Sequence, residues 1–177
     1  ARSRNLEECE FPTLLALETF AKSGIDCPIG YIHTKGVSDP NCSHRARWRH
    51  VMNYVNIVNW EERVKALNTF DLSGFNWLHC QPNSHFNGNM WWARASWIRG
   101  LSGFDWYCLN PWHGHNGTLL SKRFAHEYWI SSNTEAMKSV RIESAIVTNA
   151  WDFAWKDDFW SNNPKLFDYA RQGKFNT

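Results

Sequence analysis

HFNGNMWWARASWIRGL, residues 85–101, joins two patterns in one run. Its first half reads as a buried strand closing on a Trp pair, and ARASWIRGL reads as an amphipathic, basic helix. A strand passing straight into a helix is the repeating unit of an α/β domain. The polar residues inside the strand set it apart from a plain core element. Gly88 lies between Asn87 and Asn89, which suggests close approach of backbone to something. On a strand, His85, Asn89 and Trp91 share one face and Trp92 takes the other. One tryptophan then stacks on a ring while its neighbour anchors the core. An apolar face with a hydrogen-bonding rim is what hexose recognition requires.

Outward from this stretch the chain keeps alternating. FPTLLALETFAKSG (11–24) reads as a helix opened by Pro12 or Thr13 and ended by Gly24. CPIGYIHTKG (27–36) reads as a short strand running into a polar turn. SHRARWRHVMNYVNIV (43–58) puts Trp48, Val51, Met52, Val55 and Val58 along one helical face. NWEERVKAL (59–67) reads as a second helix capped by Asn59. DLSGFNW (71–77) reads as a turn and 102–118 as a Gly-rich aromatic loop. SKRFAHEYWISS (121–132) and NTEAMKSV (133–140) read as helices, and RIESAIVTNA (141–150) contains a strand. The tail 151–177 reads as short aromatic helices. No repeat, low-complexity tract or linker divides residues 1–177, which read as one domain. Only three or four strands can be found, and a helix precedes the first. Either the sheet is small, or about one half of it lies upstream of Ala1.

Composition narrows the classes. With 12 Trp, 11 Phe and 5 Tyr, the chain carries a large aromatic core, a binding surface, or both. A net charge of +2 is too weak a field to argue for nucleic acid. No run of about 18 apolar residues is present, so no membrane span is expected. Five cysteines without CxxC spacing favour free thiols and a reducing, cytoplasmic compartment. Asn41-Cys42-Ser43 and Asn116-Gly117-Thr118 are formal sequons, which fit a Golgi lumen instead.

Four further stretches carry candidate chemistry. YIHTKG (31–36) delivers His33, Thr34 and Lys35 to the carboxyl end of a strand, where α/β proteins bind ligands; an ordinary strand-end turn is the plain alternative. His44, Arg45, Arg47, Arg49 and His50 crowd the start of a helix, where cations oppose the dipole. An anionic ligand such as a diphosphate turns that cost into attraction; otherwise this is a solvated basic face. Arg123 and Glu127 stand at i, i+4, either as a helix salt bridge or as a base with the cation that sets its pKa. His113 and His115 without a convincing third ligand make a weak metal site.

Taken together, EFPTL (10–14), YIHTKGVS (31–38), RWRHVMNY (47–54), FDLSGFNW (70–77), HFNGNMWWARASWI (85–98) and RFAHEYWI (123–130) resemble a family of glycosyltransferases of bacteria and large viruses. The resemblance implies a nucleotide-sugar-dependent transferase of the GT-A type. Its domain is α/β, Rossmann-like and three-layered, with a small sheet binding donor and acceptor at its carboxyl edge. GT-A enzymes generally hold the donor diphosphate through a metal at an Asp-x-Asp turn, followed by a Gly-containing strand and then an acidic base. Here His33-Thr34-Lys35, Gly88 and Glu127 follow in that order, with 55 residues from His33 to Gly88. The departure from Asp-x-Asp puts a divalent metal in question and leaves no cofactor to name beyond the nucleotide sugar.

On this resemblance Lys35, with Arg45 or Arg49, neutralises the leaving diphosphate in place of a metal, and His33 and Thr34 border it. Glu127 is the base of an inverting displacement, with Asp71 in reserve. His85, Asn87, Gly88, Asn89, Trp91, Trp92 and Arg123 fall on the side of the sugar and acceptor, a glycan or another hydroxyl. GT-A folds bind the nucleoside on their first strands, which are not found here, so an upstream segment or a partner chain would complete the fold. The main alternative is a non-catalytic, lectin-like carbohydrate-binding domain, against which the helices argue. A structural protein with an aromatic interface and a hydrolase with paired carboxylates are further alternatives.

Overall fold

Pro12 has no N–H to lose in a first helical turn; it opens α1 (Phe11–Lys22), and Gly24 follows the helix at a φ of +91°. In the computed structural model the described residues are 10–33, 43–79, 84–109, 112–113, 119–120, 122–145 and 164. Of residues 43–45, 47, 109, 112–113, 119–120 and 122–123, only the backbone is described. The tail expected to form aromatic helices (all but Pro164), the asparagines of both sequons, Thr34, Lys35 and His115 therefore lie outside the described structure, as do the side chains of Arg45 and Arg123.

After α1 come β1 (Pro28–Tyr31) and α2 (Ser43–Asn53). The helix expected to run on to Val58 widens instead into a π-helical turn, Tyr54–Val58, closed by Asn59 N–H donating to the Tyr54 carbonyl. α3 (Trp60–Ala66) follows with Glu61 and Glu62 in its first turn, but Asn59 makes no side-chain cap hydrogen bond. The stretch 71–77 is not a simple turn. It holds β2 (Leu72–Gly74) and the start of β3 (Trp77–Leu78), which pairs with β4 (His85–Phe86) in a short hairpin.

The run HFNGNMWW is not one strand. It breaks between β4 and β5 (Trp91–Arg94) because Gly88 and Asn89 take φ values of +88° and +54°, which an extended chain cannot hold. Asn89 N–H donates to the Phe86 carbonyl at 2.9 Å and closes the turn. The expectation that His85 and Asn89 share a strand face fails for that reason. α4 (Ala95–Arg99), α5 (Phe104–Leu109), the ribbon β6 (Trp112–His113) and β7 (Leu119–Leu120), and α6 (Lys122–Tyr128) follow. Two short 3-10 turns then lead into β8 (Ile142–Ser144).

The main sheet is mixed, in the order β1-β5-β2-β8. β5 runs antiparallel to both β1 and β2, and β2 runs parallel to β8. β1, β2 and β8 therefore point the same way, and their carboxyl ends share one edge with the amino end of β5. Side chains alternate across this sheet. One face sends Ile29, Tyr31, Leu72, Trp91 and Ala93 into a core shared with Leu14, Ala21, Ile98, Phe104, Ala125 and Trp129. On the other face Trp92 lies over Gly30, where a Cβ would come within 2.8 Å of the indole, and donates to the Asn56 carbonyl at 3.0 Å. The π-helical turn and α3 cover that face. A smaller core of Val51, Met52, Val55, Phe75 and Met90 ties α2 to the end of the sheet. The result is a mixed α/β domain with a small sheet and helices on both faces.

Candidate functional site

At the shared carboxyl edge, residues from three distant segments meet around one carboxylate, and a fourth joins through one of them. Glu10, just ahead of α1, accepts a hydrogen bond from Tyr31 Oη at 2.8 Å and from Asn89 Nδ2 at 2.6 Å, both on Oε2. Its other oxygen faces His33 Nδ1 at 3.4 Å. The Glu10 and His33 side chains are only 12% and 14% exposed, so these contacts are made largely out of water. Charge-assisted hydrogen bonds to a buried carboxylate offset its lost hydration.

His33, two residues beyond β1, reaches across to the turn. Its Nε2–H donates to the Gly88 carbonyl at 2.8 Å, a bond between residues 55 apart in sequence. With Nε2 as the donor, Nδ1 is the nitrogen left to face Glu10. The Tyr31 ring stacks on His33 at 5.7 Å and tilts against Trp91 at 5.2 Å. Burial first, then the Glu10 charge and its hydrogen bond, then the Glu127 charge, hold the Tyr31 hydroxyl well above its ordinary pKa. Tyr31 is therefore a fixed donor. The charge of Glu127, half-buried on α6, adds the smallest part of that effect.

Asn89 ties in the remaining segment. Its Nδ2 also donates to the His126 carbonyl on α6 at 3.3 Å, and its Oδ1 accepts from the Trp91 indole at 3.0 Å. Gly88 is packed from the far side by α2: a Cβ there would come 2.2 Å from Met52 Sδ and 3.3 Å from the Trp48 ring. Only glycine fits, and the basic helix carrying half-buried Arg49 is thereby held against the turn.

Of the residues singled out in the sequence, His33, Gly88 and Asn89 meet directly, and Glu127 lies within electrostatic reach of Tyr31. His85 sits nearby, half-buried, with its ring 4.9 Å from Tyr128. Asn87 is buried in the same turn, its N–H donating to the Asn76 carbonyl at 3.0 Å.

Three expectations need correction. Trp91 is 1% exposed, and its ring and N–H are engaged by Tyr31 and Asn89, so it has no free face for a sugar. Trp92 lies on the opposite face of the sheet, 6.3 Å from Trp60, and takes no part in this cluster. Asp71 precedes β2 at the other end of the sheet, where Oδ2 accepts the Arg141 N–H at 3.0 Å, so it cannot serve as a reserve base at this edge. Glu10 and Tyr31 are the members that sequence reasoning missed. The signal lay in EFPTL and YIHTKG, both part of the family resemblance although neither residue had a role assigned.

Among the described residues no group of three or more His, Cys, Asp or Glu side chains is arranged to hold a metal ion, and no helix is long and apolar enough to cross a membrane. No curated protein and no solved structure matches the chain. A family model does match, over residues 2–139, most of the sequence and all of the cluster just described. The chain belongs to the family described as a domain of unknown function, DUF8361.

Proposed function

We propose that this domain is a nucleotide-sugar-dependent glycosyltransferase of the GT-A type, working at the carboxyl edge of its sheet. The observation that carries the reading is the meeting of three sequence motifs there. His33 of YIHTKG bonds to the Gly88 turn, and that turn bonds to the helix of Glu127 through Asn89. Ligand sites of α/β folds lie outside the carboxyl ends of the strands.

In this reading Glu127 takes the proton of an acceptor hydroxyl as its oxygen attacks the anomeric carbon of the donor. The bond from that carbon to the diphosphate oxygen breaks, and the diphosphate leaves with the electron pair. Lys35, with Arg45 or Arg49, meets the charge that develops on it. Preorganised cations in a dry site lower such a barrier by several kcal/mol, on the order of 3–4 for one good donor. Of the residues expected on the sugar side, His85 stands at the half-buried rim beside Tyr128, while Asn89 and Trp91 support the turn from within.

A thermal-shift screen with UDP-, GDP- and TDP-sugars, with and without manganese, tests the reading, because a ligand of the folded state raises its melting temperature. A shift without metal is expected, together with sugar transfer that survives chelator. Glu127→Gln is expected to keep the shift and lose about 100-fold or more in turnover. Lys35→Ala is expected to lose both. Transfer that depends on manganese would remove the cation-for-metal role of Lys35. Binding of sugars without any transfer would favour the lectin-like alternative.

A further inference from the structure

α6 and the 3-10 turn after it, Trp129–Ser131, bury one stripe: Ala125, His126, Trp129 and Ile130 are each no more than 5% exposed. The opposite stripe of such a helix ordinarily carries polar and charged residues. Here it carries Phe124, Glu127 and Tyr128, which at i, i+3 and i+4 stand on one face. The rings of Phe124 and Tyr128 lie 6.1 Å apart and 27° from parallel, and the Tyr128 ring is 4.9 Å from that of His85 on β4. Three rings thus form one strip beside the Glu127 carboxylate. Phe124 is 37% exposed, and Glu127, Tyr128 and His85 are half-buried, so water reaches the strip. An i, i+4 aromatic pair steadies a helix only weakly, and breaks in the ordinary pattern concentrate at functional sites.

We infer that this strip is the acceptor platform and that the acceptor is a carbohydrate, its terminal sugar lying on Phe124 and Tyr128 with a hydroxyl directed to Glu127. The inference rests on the reading of Glu127 as the base. A sugar ring offers what both kinds of group on the strip take up. Its C–H face covers aromatic rings, and its hydroxyls donate to a carboxylate, whose oxygens only accept. A hydrocarbon chain would cover the rings equally well. It would also take water from the Glu127 charge and return no hydrogen bond, which is costly. Phe124 is the most exposed ring of the strip and so the one whose loss a bound sugar feels first.

The test measures, by calorimetry on the full chain, binding of soluble tetrasaccharides of glucose, mannose and N-acetylglucosamine, beside a serine- and threonine-containing peptide and hexanol. At least one tetrasaccharide is expected to bind, and the peptide and hexanol are not. Phe124→Ala is expected to weaken that binding about tenfold, and Phe124→Tyr to keep it, since either ring serves as a platform. Should Phe124→Ala fail to fold, Phe124→Leu carries the test: it keeps an apolar side chain without the ring and is expected to weaken binding by a similar factor. Binding of no tetrasaccharide, or binding that loss of the ring leaves unchanged, overturns the inference. Tighter binding of the peptide or of hexanol overturns it as well. If sugar transfer is observed and loss of the Phe124 ring alters kcat/KM for no acceptor, the inference falls and the transferase reading stands. If a tetrasaccharide binds through Phe124 but receives no sugar from any nucleotide sugar, the transferase reading falls, and the strip stands as a carbohydrate-binding surface.

Discussion

Gly24 and Gly88 share a left-handed backbone, with φ of +91° and +88°, but not their surroundings. Around Gly24 no atom lies within 4 Å of an added Cβ. At Gly88 the same carbon would sit 2.2 Å from the sulfur of Met52, a side chain with no exposed surface into which to swing. Gly24→Ala therefore pays only for backbone conformation, about 1 kcal/mol. Gly88→Ala adds overpacking against α2 and is expected to cost about 3 kcal/mol or more. Urea denaturation of the two variants checks this, and equal midpoints would mean that α2 does not press on the turn. Trp91 makes a related point about residues. Its place after Gly-Asn suggests a sugar platform, but an aromatic ring this large beside a sheet gains more by burial, and Tyr31 and Asn89 satisfy both its face and its N–H.

Between elements, the polar seam under α3 is the contact most open to test. Arg63 Nη1 bonds to Glu143 Oε2 on β8, Ser73 Oγ on β2 donates to the same oxygen at 2.6 Å, and the two ionic side chains are 12% and 23% exposed. Removing one partner leaves the other charge poorly solvated. Glu143→Ala is expected to cost about 2–3 kcal/mol, discounted from a fully buried pair because Glu143 keeps some water. The double variant Arg63→Met, Glu143→Leu is expected to cost clearly less than the two single changes added together. Additive losses in urea denaturation would show that the pair is not coupled. This scale also shows where the sequence could be read. α1 was legible because Pro12, the apolar spacing and Gly24 all agree. β2 and β3 were not, since strands of three and two residues are too short to show alternation. The break inside HFNGNMWW is masked by its apolar residues, although Asn-Gly within it is a turn signal.

Across the whole molecule, the candidate site was legible in its parts and not in its centre. His33, Gly88 and Glu127 stood out by residue type and order. Glu10 did not, because a carboxylate ahead of a helix is ordinary until the fold carries Tyr31 and Asn89 to it. The same fold sets how global stability responds to pH through α2, which bridges the smaller core and the turn. Burial first, and then the neighbouring Arg49, lower the pKa of His50 below its ordinary 6.5. The folded protein thus favours neutral His50, while the unfolded chain binds the proton more readily. Unfolding free energy rises with pH wherever the unfolded state holds more protons. The contribution of His50 is accordingly complete above 6.5, declines as pH falls below that value, and is fully lost beneath the lowered folded-state pKa. His50→Gln removes this term. Between neutral pH and about pH 5, its stability is expected to fall less steeply than that of the unaltered protein, measured by urea denaturation at fixed ionic strength. Parallel slopes for the two proteins would mean that His50 is as readily protonated in the fold as out of it.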